Sequence, residues 1–204
     1  MKRIVLMALI ALALPVGAFA GSVDFGNSGG TLAGSSAGLS LSGSVLNLVG
    51  GLGNGLCSIA LPCGSVSFTT GALTSGNVST GAVFGPGGTF VIMSNGNGGL
   101  PPGVIFSGTF TSNTTWTPNG TVGVDGSIFY GLFGKVSGTW FNGATVSGST
   151  FQMTVNAGKD GFTGSVGVAS GDTFITTTPE PGTLGLLGTG LVGLAGIVRK
   201  KLKA

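Results

Sequence analysis

Between Gly21 and Thr178 the chain has no ten-residue stretch with the period of an amphipathic helix; short alternating runs take its place. In Phe151-Gln152-Met153-Thr154-Val155 the apolar side chains fall on one face and the polar ones on the other. Val66 and Phe68 alternate with Ser65, Ser67 and Thr69, and Val104, Phe106 and Phe110 stand around Ser107 and Thr109. Ile128, Tyr130 and Leu132 oppose Phe129 and Phe133, which predicts a strand buried on both faces. The dipeptides Asn119-Gly120, Asp125-Gly126, Asn142-Gly143 and Asp160-Gly161 accept the positive φ of type I′ hairpins, so each predicts a chain reversal. The expected fold class is all-β.

Thr-Phe or Thr-Trp recurs at Thr89-Phe90, Thr109-Phe110, Thr139-Trp140, Thr150-Phe151 and Thr173-Phe174. The spacing is too uneven for a solenoid with one fixed rung. It fits a recurring strand-edge solution in an antiparallel sandwich or barrel-like ectodomain, with a β-solenoid as the alternative. Residues 26 to 56 are poorer in aromatics and richer in Gly, Ser and Leu, and are expected to form an irregular extension or loosely packed outer strands.

Both ends differ from this body. Lys2 and Arg3 precede an apolar run from Ile4 to Leu14, then Pro15 and Ala18-Phe19-Ala20, the layout of a secretory signal peptide cut before Gly21. At the other end Pro179-Glu180-Pro181 leads into an apolar, Gly-rich run to Val198, followed by Arg199, Lys200, Lys201 and Lys203. Thr183 to Val198 is sixteen residues. As a helix it would measure about 24 Å against a hydrocarbon core of roughly 30 Å. Snorkelling cations and local thinning allow one short transmembrane helix there. The basic cluster retains its end in the cytoplasm as a membrane stop. Three segments follow: a signal peptide (1–20), a Gly/Ser/Thr-rich β ectodomain (21–178) outside the inner membrane, and a sorting tail (179–204). Gly185, Thr189 and Gly193 give the tail helix a small-residue stripe, whose plain reading is a Gly-containing apolar helix.

This tail resembles the PEP-CTERM sorting domain of Gram-negative bacteria that make exopolysaccharide. The resemblance rests on Pro179, Glu180 and Pro181, on Gly182 to Gly188, and on the order of signature, apolar segment and basic end. It covers about an eighth of the chain. The one departure is a terminal cluster richer in Lys than in Arg. The resemblance implies that an exosortase, a membrane cysteine peptidase or transpeptidase, recognises and removes the tail. The protein would then be anchored transiently in the inner membrane, its ectodomain periplasmic, before reaching the cell surface or the medium.

Charge agrees with a targeting role for the ends. The chain carries a net charge of +3, yet six of its eight cations lie in the two terminal segments. The ectodomain keeps Lys135 and Lys159 against Asp24, Asp125, Asp160 and Asp172, so nothing supports a nucleic-acid partner. Charged residues make up 6% of the chain and Gly 43 of its 204 residues, which leaves Ser, Thr, Asn and Gly to cover the surface. Twelve Phe, two Trp and one Tyr between Phe25 and Phe174 argue against a disordered coil.

Cys57 and Cys63, the only cysteines, flank Pro62 and read as a disulfide loop in an oxidising compartment. The chain has no His, so neither a Ser-His-Asp nor a Cys-His nucleophile pair is available and a zinc site lacks ligands. Asp125 and Asp160 precede Gly at expected turns, which favours local hydrogen bonding over a glycosidase carboxylate pair. Gly188, Gly190 and Gly193 match G-x-G-x-x-G, but inside the apolar tail with no strand before them. No enzyme, cofactor or metal is expected. Two functions remain: an exported surface or extracellular-matrix protein associated with exopolysaccharide, or a carbohydrate-binding module stacking sugars on Trp116, Trp140 and Tyr130. The competing reading makes those three aromatics core residues.

Overall fold

The structure is a computed structural model that describes residues 21–51, 55–57, 61–97, 99–122, 127–155 and 157–177. Among the described residues alternation produces thirteen strands: β1 (Gly21–Ser28), β2 (Thr31–Ser35), β3 (Gly38–Gly50), β4 (Gly55–Leu56), β5 (Gly64–Thr69), β6 (Leu73–Asn77) and β7 (Gly81–Phe84). The second half supplies β8 (Gly87–Ser94), β9 (Gly103–Phe110), β10 (Thr114–Val122), β11 (Ser127–Trp140), β12 (Thr145–Thr154) and β13 (Ser165–Thr177). Every registered pairing is antiparallel.

The pairings close on themselves. Following β2, β3, β5, β8, β9, β11, β12 and β13 leads back to β2, so eight strands form a barrel. Closure removes the unpaired edges that an open sheet of this length would leave. Of the sandwich, barrel and solenoid expected from the sequence, the barrel is the observed form. β1 pairs with β3 beyond β2, so β1 and β2 share one stave broken at Gly29–Gly30. Residues 26 to 56 are therefore largely barrel wall, which corrects the expectation of an irregular extension. Their Leu32, Leu39, Leu41, Leu46 and Val49 supply to the core what aromatics supply elsewhere.

β11 is a fork. Along one side it pairs with β12; on the other its first half pairs with β10 and its second half with β9. β10 continues to β7 and β6, forming a flap beside the barrel. The barrel interior holds Phe68, Phe90, Phe106 and Phe110; the stacked Phe68 and Phe90 rings each meet Phe110 edge-on. Small barrels of about eight strands are filled by side chains in this way.

Three sequence expectations change on folding. Asn119-Gly120 lies inside β10, where the register slips between Pro118 and Thr121, and so marks a bulge rather than a reversal. Asn142-Gly143 does reverse the chain between β11 and β12, but only Gly143 takes a positive φ, 87°. The turn is thus a type I turn closed by a left-handed glycine, not type I′. β11 is not buried on both faces: Tyr130 and Leu132 point inward, Phe129 is half-buried and Phe133 is 44% exposed. Asp125-Gly126 and the expected transmembrane helix lie outside the described residues. Among the described residues no helix is long and apolar enough to cross a membrane.

Candidate functional site

Residues of the expected sorting signature, Pro179, Glu180 and Pro181, lie outside the described residues, as do the membrane-stop residues Arg199, Lys200, Lys201 and Lys203. Cys57 and Cys63 are joined by a disulfide with their Cα atoms 5.6 Å apart. The loop they close is tied to the barrel through Cys57 N to Asn47 O and Cys63 N to Leu46 O, both 2.9 Å.

The three candidate sugar-stacking aromatics are all buried: Trp116 and Tyr130 completely, Trp140 to 5% exposure. Trp116 and Tyr130 stack on each other with Phe162 edge-on to both, and Trp140 packs against Phe25 and Phe141. No ring face is left for a sugar, which corrects the stacking assignment to these residues. The cause lies in β11: its even-numbered positions face inward, and Tyr130 and Trp140 both fall on that side.

Different aromatics face the solvent. β12 follows ordinary inward-apolar order at Val146 but inverts it from Thr150 onward: Thr150, Gln152 and Thr154 point into the barrel, and Phe151 and Met153 point out. β13 does the same with Thr173 inside and Phe174 outside. The outward wall reads in rows across β11, β12 and β13. Phe133 lies opposite Phe151, and Phe151 opposite Asp172; Lys135 lies opposite Ser149, and Ser149 opposite Phe174. The third row is Ser137, Ser147 and Thr176. A Cβ on Gly131 would sit 3.1 Å from the Phe151 ring, so the bare glycine is what lets that ring lie against β11. Alternation revealed this segment as a strand, but not which side of it faced the core.

The inward polar groups of β12 are satisfied. Asn27 Nδ2 donates to Ser44 Oγ and to Gln152 Oε1, each at 2.8 Å, and Gln152 Nε2 donates back to Asn27 Oδ1 at 3.1 Å. Gln152 Nε2 also reaches Thr150 Oγ1, which meets Thr173 Oγ1 at 2.9 Å. Beside the outward rows lies a shallow hollow of about 330 Å³, lined by Lys135, Ser147, Ser149, Phe174 and Thr176 among others.

Of the carboxylates, Asp24 on β1 has its pKa raised, first by burial and then by the charge of Asp172. Its Oδ1 is buried without a hydrogen-bond partner. Asp160 sits exposed in a turn ending at Gly161; only the glycine takes a positive φ, 71°, so this is a turn within the β12–β13 loop and not a type I′ hairpin. Among the described residues no three His, Cys, Asp or Glu side chains gather where a metal ion would need them.

In comparisons with known proteins, residues 177–200 match the PEP-CTERM protein-sorting motif. No curated protein and no solved structure matches the chain. The match begins where β13 ends, at Thr177, and takes in Pro179, Glu180, Pro181, the apolar run and the first two basic residues. The chain thus carries a PEP-CTERM protein-sorting motif, which implies export, transient membrane anchoring and processing by an exosortase.

Proposed function

We propose that this is a non-enzymatic extracellular-matrix or surface protein: a β barrel delivered through the inner membrane, released by exosortase cleavage near Pro179-Glu180-Pro181, and retained among exopolysaccharide chains. The sorting motif at residues 177–200 carries this reading. The prolines fix φ and remove backbone donors, keeping the tripeptide suited to an extended peptidase cleft. Glu180 offers a positive pocket its only charge in that segment. Cleavage of a signal peptide before Gly21 would start the mature chain at the first residue of β1. The barrel's outward Ser65, Ser67, Thr69, Ser107 and Thr109 give an uncharged, hydroxyl-rich wall suited to hydrated polymer.

In a host with the matching exosortase, deleting that enzyme should leave the protein about 25 residues longer and in the membrane fraction. Glu180→Ala or Pro181→Ala should reproduce this in part. An unchanged mass and location after the deletion would mean that the tail is a plain anchor.

The carbohydrate-binding reading keeps support from one observation, the outward aromatic face of β11–β13, rather than from Trp116, Trp140 and Tyr130.

A further inference from the structure

We propose that the outer wall formed by β11, β12 and β13 is a polysaccharide-binding face, with the Phe174 hollow as a sugar subsite and Phe151 and Phe133 extending it. The proposal rests on the matrix reading above and names the surface through which it would act.

From Thr150 onward β12 turns its polar side chains inward and its apolar ones outward. Slipping this strand by one residue would move Phe151 and Met153 inward and Thr150, Gln152 and Thr154 outward, the arrangement hydrophobic burial favours. Instead, a set of hydrogen bonds among Asn27, Ser44, Thr150, Gln152 and Thr173 stabilises the inward polar side chains. The barrel is thereby held in the register that displays aromatic rings, 41% exposed at Phe151 and 48% at Phe174.

Hydroxyl groups surround the Phe174 ring. Hydroxyl side chains at Ser147, Ser149 and Thr176 stand on neighbouring strands about 4.8 Å apart, beside the Phe174 ring in a hollow of about 330 Å³. A pyranose ring has an apolar C–H face and a hydroxyl rim. The negative face of an aromatic ring accepts the first, and serine and threonine hydroxyls exchange hydrogen bonds with the second. Lys135 and Asp172 bring one charge of each sign, and Asp24 adds a second carboxylate near Asp172, so the face has no cationic excess to select an acidic polymer. The chemistry is that of a neutral, hydroxyl-rich glycan.

Phe133, Phe151, Phe174, Met153 and Val155 together expose on the order of 400 Å² of apolar surface. That lies within the range of functional patches on monomers.

The test uses the mature protein recovered from its host, with galactomannan and the host's own exopolysaccharide as probes in affinity electrophoresis. Both polymers should retard the wild type. Phe151→Ala and Phe174→Ala should each weaken binding about tenfold, whereas Phe174→Tyr, which keeps the ring, and Phe141→Ala, outside the face, should bind as the wild type does. The wild-type protein supplies a readout free of substitutions. Lys135 and Lys159 are the only ectodomain lysines, and galactomannan should protect Lys135 but not Lys159 from acetylation. If a variant lacking all three Phe rings binds like the wild type, or if Lys135 stays unprotected in bound protein, this face is overturned while the matrix reading stands. If neither polymer retards the wild type, face and matrix reading both fail. A dimer in light scattering that loss of the three rings dissolves would assign the face to self-association and overturn the proposal.

Discussion

The indole of Trp116 and the phenol ring of Tyr130 lie face to face, their centroids 4.8 Å apart and their planes 6° from parallel. Both polar tips reach the same turn between β6 and β7: Trp116 Nε1 donates to Val78 O at 2.8 Å and the Tyr130 hydroxyl donates to Ser79 O at 2.5 Å. That hydroxyl also accepts from Phe162 N, and Ser79 Oγ donates to Phe162 O. One phenol therefore joins the flap, β11 and the 157–164 loop.

Tyr130→Phe keeps the stack but orphans the Phe162 N–H and one carbonyl. It should lower unfolding free energy by about 1–3 kcal/mol, read from the urea midpoint at unchanged slope. A loss below a few tenths of a kcal/mol would mean that water replaces the hydroxyl without penalty. In the wild type, iodide should barely quench the fluorescence of either Trp, with or without polysaccharide.

Asp24 gives the fold a pH dependence of known sign. Burial and the Asp172 charge raise its folded pKa above the ordinary value of 3.8, so between those two values the folded state holds a proton that the unfolded chain has lost. Stability should fall as pH rises through that window and level off above the folded value. Asp24→Asn should flatten this component and raise the melting temperature at neutral pH. A variant that is less stable than the wild type at pH 7 would show that the charge is held by a favourable contact instead.

Fold class was legible because alternation is a local signal: Val66, Phe68 and Ser67 declare their faces within three residues, and the structure honours them. Barrel closure was not, because it depends on pairings such as Gly148 with Ile175 and Val166 with Leu32, which no local pattern encodes. The sorting motif was legible for a related reason: its three parts are contiguous and need no tertiary context. The outward aromatic face stayed hidden because alternation around Phe151 marks its apolar side as the one to bury, and the fold turns that side outward. Inward direction was decided by Asn27 and Ser44, far away in the sequence. Likewise, Trp116 and Tyr130 have the composition of a sugar platform, and only the position of the flap makes them core.

Those long-range amides set up the last prediction. Asn27 and Gln152, 125 positions apart, exchange two hydrogen bonds inside the barrel and thereby link β1 to β12. Gln152→Met preserves volume but strands Asn27 Oδ1 inside the barrel, and Asn27→Leu strands the Gln152 carbonyl. Each should cost about 2–3 kcal/mol, because a buried polar group that loses its partner bears its desolvation penalty uncompensated. Removing both amides together removes both penalties, so the double variant should be less destabilised than the sum of the singles by about 1 kcal/mol or more. If urea unfolding shows the two changes to be additive, the pair is not a coupled unit. The inverted register of β12 would then have to be held by Thr150 and Thr173 alone.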